Sequence, residues 1–164
     1  MTAREQIRLE PMTREACHAL FRGWENDPAI YADLTRFKPY VYDPQAVDRY
    51  FDAKQTPARR LLAVMLGDRV IGEVQLKRID PERRACELSI HLQNDSVKGL
   101  GYGTQAERLA VRYAFEVLGL ETVFADAIMK NTRSQHTLEK AGFRFLREEN
   151  GFRYYRWERA WGMP

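Results

Sequence analysis

Cysteine is scarce: Cys17 and Cys86 are two residues in 164, and neither belongs to a closely spaced pair of the kind that redox or zinc motifs need. Two isolated thiols suit a reducing cytoplasm. No run of 18 apolar residues occurs, so no membrane span is expected. The opening Met1-Thr2-Ala3-Arg4-Glu5-Gln6 lacks the apolar core of a secretion signal. The expected location is the cytoplasm, with no membrane partner. A charge excess is missing as well. Lys and Arg number 26 against 23 Asp and Glu, a formal net charge of +3, and the basic residues are scattered rather than massed in a tail or on one helical face. With no recognised nucleic-acid motif beside them, they argue against a nucleic-acid binder. Internal repeats and low-complexity stretches are absent too.

What is present is a chain that is 45% hydrophobic and 30% charged, within the size range of one domain over 1–164. Such a chain buries roughly two thirds of its unfolded surface, enough for a core without staples. Ile7 to Pro11 alternates like a strand, and Thr13 can cap a helix with Ala16, Cys17, Leu20, Phe21 and Trp24 on one face. Ala29 to Tyr42 is irregular and aromatic-rich, and Asp43-Pro44 starts a second helix. Arg60 to Leu66, Val70 to Ile79 and Arg84 to Leu92 read as an antiparallel meander broken at Gly67-Asp68 and at Pro81. From Thr104 to Leu118 an apolar stripe (Ala106, Leu109, Ala110, Tyr113, Ala114) predicts a helix that sets Glu107, Arg108, Arg112 and Glu116 off the stripe. Thr122 to Ile128 is a strand, Arg133 to Lys140 a helix, and Asn150-Gly151 joins a final hairpin. The order predicts an α/β fold: a mixed, mostly antiparallel sheet of about seven strands flanked by about four helices.

The segment Lys98-Gly99-Leu100-Gly101-Tyr102-Gly103-Thr104 places three glycines between a strand and the best helix. Glycine lets backbone N–H groups approach a ligand, and the helix start adds the positive end of its dipole, so the segment can cradle a phosphate. A flexible turn is the plainer alternative. The loop is not a Walker loop, because no Gly-Lys-Ser/Thr follows, and not a dinucleotide fingerprint, because Thr104 stands where the third glycine belongs.

Lys98, Gly101 and Gly103 match, with Lys at its first position, the Arg/Gln-x-x-Gly-x-Gly/Ala loop of the GNAT superfamily of acetyl-CoA-dependent N-acetyltransferases. Asn131-Thr132-Arg133-Ser134, Leu138 to Phe143 and the strand Glu87-Leu88-Ser89-Ile90 also resemble that superfamily. Its branch of ribosomal-protein N-terminal and spermidine acetyltransferases is the most similar. The resemblance implies a GNAT-like sheet and an enzyme that uses acetyl-CoA as co-substrate, without a metal. The diphosphate would lie on the backbone from Lys98 to Thr104, Ile90, His91 and Leu92 would supply main-chain contacts and an oxyanion donor, and Asn131 would meet the pantetheine arm. The acceptor would be a primary amine, on a small molecule or a protein N-terminus, attacking directly in a ternary complex. A non-catalytic CoA-sensing or protein-binding module on the same fold is the alternative, and a homodimer is left open.

An alkylamine with a pKa near ~10 must lose a proton before it attacks, which calls for a base. Glu87, on the strand leading into the loop, is the first candidate, with Glu73 and Asp126 behind it. Many members of the superfamily carry a Tyr as thiolate acid where this chain has Leu138, which turns attention to Ser134 or water; Ser134 could equally serve only the helix start. His91 and His136 lack a neighbouring nucleophile or a second ligand at metal spacing, and Cys86 reads as core. The aromatics between Ala29 and Tyr42 are candidates for the acceptor wall, and equally for ordinary packing.

Overall fold

The computed structural model describes residues 6–164; residues 1–5, most of the segment judged to lack a secretion signal, lie outside them. In chain order the elements are β1 (Ile7–Pro11), α1 (Arg14–Arg22), α2 (Pro44–Ala53), β2 (Arg60–Leu66), β3 (Arg69–Asp80), β4 (Ala85–Leu92), α3 (Tyr102–Glu116), β5 (Thr122–Ile128), α4 (Thr132–Ala141), β6 (Arg144–Glu149) and β7 (Phe152–Glu158). Seven strands form one sheet in the order β1-β2-β3-β4-β5-β7-β6. Every neighbouring pair is antiparallel except β4 and β5. The parallel pair needs a long crossover, which α3 provides.

Local chemistry sets the helix starts. Thr13 Oγ1 accepts from the Ala16 N–H at 3.0 Å, and Asp43 Oδ1 accepts from Gln45 N–H at 3.0 Å with Pro44 at the first position. Between α1 and α2 the aromatic stretch folds into two short 3-10 turns, Pro28–Ile30 and Leu34–Arg36, started by Asp27 and Asp33.

The sheet separates two cores. One lies under α3 and α4 and includes Val74, Leu76, Leu88, Val111, Phe115 and Tyr155. The other lies under α1 and α2 and includes Cys17, Leu20, Val47 and Ala63. Burial pushes the Cys17 and Cys86 thiols up to about 12, so both are inert packing groups.

Helix α3 departs from expectation in one way that matters. Glu107, placed off the apolar stripe by periodicity, is 1% exposed. Val111, one turn further, is also fully buried, so α3 is covered over a wider arc than a single stripe.

The feature that makes a site is the junction of β4 and β5. Their pairing runs only from Ala85↔Thr122 to Leu88↔Ala125. Beyond it β4 stays with β3 through Leu92, whereas β5 stays with β7 through Ile128. The two strands therefore part, and the sheet opens along Ser89–Leu92.

Candidate active site

A cavity of about 590 Å³ runs through this opening. Lys98, Gly103, Glu107 and Leu138 line it on the α3 side; Trp24, Tyr40, Glu73 and His91 line it on the other.

On the α3 side the glycine loop has the shape its sequence suggested. Gly99 and Gly101 have φ of 74° and 86°, the left-handed region open to glycine. Gly101 is the residue just before α3 and has no side chain to cap it. Among the described residues, no backbone acceptor takes the N–H groups of Gly99 to Thr104. Free donors at the start of a 15-residue helix suit a diphosphate, so the loop fits the coenzyme that the resemblance implied. Lys98 and Gly103 reach the cavity itself, while Gly99, Leu100, Gly101, Tyr102 and Thr104 lie beside them in the loop and first turn. The Lys98 ammonium is held by Asp27 Oδ2 at 3.0 Å and Asp95 Oδ1 at 3.6 Å, which ties the loop to the turn that follows α1.

Where the strands part, Ile90 and Leu92 line the cavity and also pack against the α3 core, whereas His91 alternates to the opposite face. Asn131 and Ser134 line the same region. Asn131 Oδ1 accepts from the Ser134 N–H at 3.2 Å, so the Asn-x-x-Ser spacing is the geometry of a helix cap. The capping role weighed for Ser134 belongs to Asn131, and Ser134 lines the cavity.

On the far side, three cross-strand pairs form a row: Glu73↔His91, Gln75↔Ser89 and Lys77↔Glu87. Five of these six residues line the cavity; Glu87 does not. Its carboxylate accepts instead from Arg78 Nη1 at 3.0 Å, in an ion pair outside the cavity. Glu73, 4% exposed, accepts from the Tyr50 hydroxyl at 2.6 and 2.8 Å and from Gln75 Nε2 at 3.1 Å. Gln75 accepts in turn from Arg59. Burial and the neighbouring carboxylate raise the Tyr50 phenol, so it stays a donor. His91 Nδ1 lies 4.0 Å from Glu73 Oε1. Desolvation holds the imidazole below its ordinary value, with Glu73 pulling the other way and Lys77 and Lys98 adding to the drop. The lowered proton affinity favours the neutral imidazole, the form that can take a proton. Asp126 also lines this half.

Of the aromatics between Ala29 and Tyr42, Tyr40 reaches the cavity, where it faces Phe21 at 5.8 Å. Tyr31 and Phe37 pack edge to face with each other, and the Tyr42 hydroxyl bonds His18. Trp24, expected as an apolar position of the first helix, lies just beyond the end of α1 and lines the cavity, as does Tyr50 of α2; periodicity reports burial and not what a buried face borders. The His91 side chain, set aside in the sequence for want of a neighbouring nucleophile or second ligand, is paired with Glu73 by cross-strand register, which local sequence does not carry. Among the described residues, no group of three or more His, Cys, Asp or Glu could hold a metal ion.

Comparison with known proteins agrees with this geometry. Residues 6–144 match the family model described as "Acetyltransferase (GNAT) domain". The spermidine N(1)-acetyltransferase of Escherichia coli K12 is 25% identical over 146 residues, covering 87% of this chain and 75% of that protein. The crystal structure of spermidine N-acetyltransferase from Vibrio cholerae in complex with CoA and spermine superposes with a TM-score of 0.76 at 20% identity, covering 94% of this chain and 96% of the other. A structure of the Vibrio cholerae enzyme described as dodecameric gives 0.70 at 19%, covering 94% and 95%.

Proposed function

Because the chain belongs to the GNAT acetyltransferase family and transfers the acetyl group of acetyl-CoA to an amine, we propose that its acceptor is a small cationic amine and that Glu73 and His91 receive the amine's proton. The observation that carries this reading is the division of one cavity by the parting of β4 and β5. Free main-chain donors lie on one side and the Glu73–His91 pair within an aromatic wall on the other.

Bound acetyl-CoA supplies a thioester whose carbonyl carbon a neutral amine can attack. The N–H groups from Gly99 to Thr104 hold the diphosphate against the start of α3. Asn131 turns its remaining amide donors toward the pantetheine arm, since its oxygen is taken by the cap. Backbone N–H groups of β4 freed beyond Leu88 hydrogen-bond the arm and the carbonyl oxygen, and the Ser134 hydroxyl offers the sulfur a hydrogen bond without giving up its proton.

An acceptor amine arrives protonated. Trp24 and Tyr40 offer aromatic rings to its charge, and Glu73 and Asp126 balance it. His91 takes the proton, directly or through a water, and Glu73 stabilises the resulting imidazolium. This reading moves the base from Glu87, which keeps Arg78 as its partner, to the second sequence candidate, Glu73, acting through His91.

The spermidine acetyltransferases among the relatives support a small amine over a protein N-terminus. A screen of diamines, polyamines, aminoglycosides and N-terminal peptides, read by thiol release, tests the assignment. Turnover of the small amines is expected. Turnover confined to peptides overturns the acceptor class, and no thiol release from any amine overturns the transferase reading.

A further inference from the structure

We propose that Glu107 is the proton donor to the coenzyme sulfur as the acetyl group leaves it. The inference rests on the acetyl-transfer reading and adds a residue that no comparison assigns. Glu107 projects from α3 into the cavity and is 1% exposed. Its Oε2 is buried without a hydrogen-bond partner among the described residues. An unpartnered buried oxygen is costly, and an apolar residue would remove that cost, so the position asks for a ligand.

The direction of the coenzyme identifies the atom it meets. Gly103 and Glu107 are one turn apart on α3, and both line the cavity. A chain gripped at the start of α3 therefore passes Glu107 on its way to the gap beyond Leu88 and Ala125. The amine comes from the Glu73–His91 side, so the sulfur departs toward α3. There Leu138, 3% exposed, has no proton to give, and the Ser134 hydroxyl is too weak an acid to surrender one at neutral pH.

Burial alone pushes the Glu107 carboxyl up to about 8. The titratable groups that line the cavity beside it are Glu25 and Asp27 after α1, Glu73 and Lys77 of β3, His91 of β4, Lys98 of the glycine loop, Asp126 of β5 and Arg133 of α4, and none adds to that shift. From β1, Ile7 and Leu9 face the same core. Near neutral pH the carboxyl holds its proton and is matched to a thiol of pKa about 8.5. The step balances. His91 first passes the ammonium proton to solvent; as nitrogen bonds the carbonyl carbon it releases its second proton to the emptied imidazole, the C–S bond breaks with its electron pair on sulfur, the Glu107 proton passes to that sulfur, and the carboxylate is reprotonated from water.

The test combines Glu107→Gln and Glu107→Leu with a readout that needs no turnover. In wild-type protein with ¹³C-labelled Glu carboxyls, the resonance missing from Glu107→Gln is followed against pH. CoA is expected to move its midpoint, whereas desulfo-CoA, which lacks the sulfur, leaves it in place. In kinetics, Glu107→Gln is expected to lower kcat roughly ten- to hundredfold with the KM for acetyl-CoA within about twofold. The wild-type to Glu107→Gln ratio of kcat then falls as pH rises through about 8. A midpoint that CoA does not move, or a ratio near one at every pH, overturns the assignment. Glu107→Leu, which leaves no carboxyl to bury, folds and repeats the kinetic result. A wild-type protein without transferase activity overturns instead the reading beneath it.

Discussion

Glu73 and His91 stand opposite each other on adjacent antiparallel strands, with Oε1 4.0 Å from Nδ1, and the carboxylate below is fixed by the Tyr50 hydroxyl. The separation is long for a direct bond but short for electrostatic control, because Glu73 raises the affinity of the imidazole for a proton against the desolvation that lowers it. Glu73→Gln removes that upward pull. The expected result is a drop in kcat of about a hundredfold and an acidic limb of the rate profile displaced to lower pH, since His91 then loses its proton more readily. His91→Ala abolishes the limb. Acetyl-CoA affinity by calorimetry stays unchanged in both, and a limb that stays put in Glu73→Gln would remove this pair from the chemistry.

Gly101→Ala tests the loop by conformation alone. Its φ is 86°, and a methyl group there meets nothing within 4 Å, so the cost is the left-handed backbone and not a collision. A strain of about 1 kcal/mol, relieved by moving the N–H groups off their aim, predicts a KM for acetyl-CoA raised roughly fivefold with kcat little changed. Initial rates at saturating amine measure it, and an unaltered KM would place the diphosphate elsewhere.

Much of this site was legible because its signals are local. The caps at Thr13 and Asp43, the turn at Gly67 and the loop from Lys98 to Thr104 are each set by a few adjacent residues, and the structure has them where those residues point. What escaped notice depends on distant partners. Glu87 and Glu73 look alike in sequence, and only the strand register, with Arg78 beside one and Tyr50 beside the other, separates the ion pair from the cavity acid. Glu107 was set off the stripe because a carboxylate in a periodic pattern reads as solvent-facing; it is instead 1% exposed and lines the cavity.

Asn131→Ala separates the two tasks of that residue. Losing the Oδ1 acceptor for Ser134 N–H costs about 1 kcal/mol of stability and a Tm lower by roughly 2–4 °C. Losing the amide donors raises the KM for acetyl-CoA. Asn131→Asp keeps the acceptor and should restore the Tm while leaving KM high; restoration of both would show that the capped helix start is all the coenzyme needs.

Gly142→Ala reports on the packing behind α4. The residue has φ 131°, and an added Cβ would sit 2.5 Å from the Trp157 ring, which is buried and faces Phe143 edge-on. Strain and overpacking together predict a loss of roughly 2–4 kcal/mol and a fall in Tm of about 5–15 °C in a thermal melt. A change under about 1 °C would mean that Trp157 has room to move.

The pH dependence of stability isolates Glu107 from catalysis. Its carboxyl titrates at about 8 when folded against an ordinary 4.5, so between those values the unfolded chain sheds a proton that the native protein keeps. The native state then binds more protons, and stability falls with rising pH at a rate of roughly 1 kcal/mol per unit. Below 4.5 the penalty is absent; above 8 it is complete and constant. Glu107→Leu has no such group and also buries apolar surface. Its advantage in Tm over wild type is therefore expected to widen steadily from pH 5 to pH 8 and then level off, as read by calorimetric melts in buffers of matched ionic strength. An advantage that stays constant over that span would mean that the buried carboxyl is ionised at neutral pH, and it could not then supply a proton to the departing sulfur.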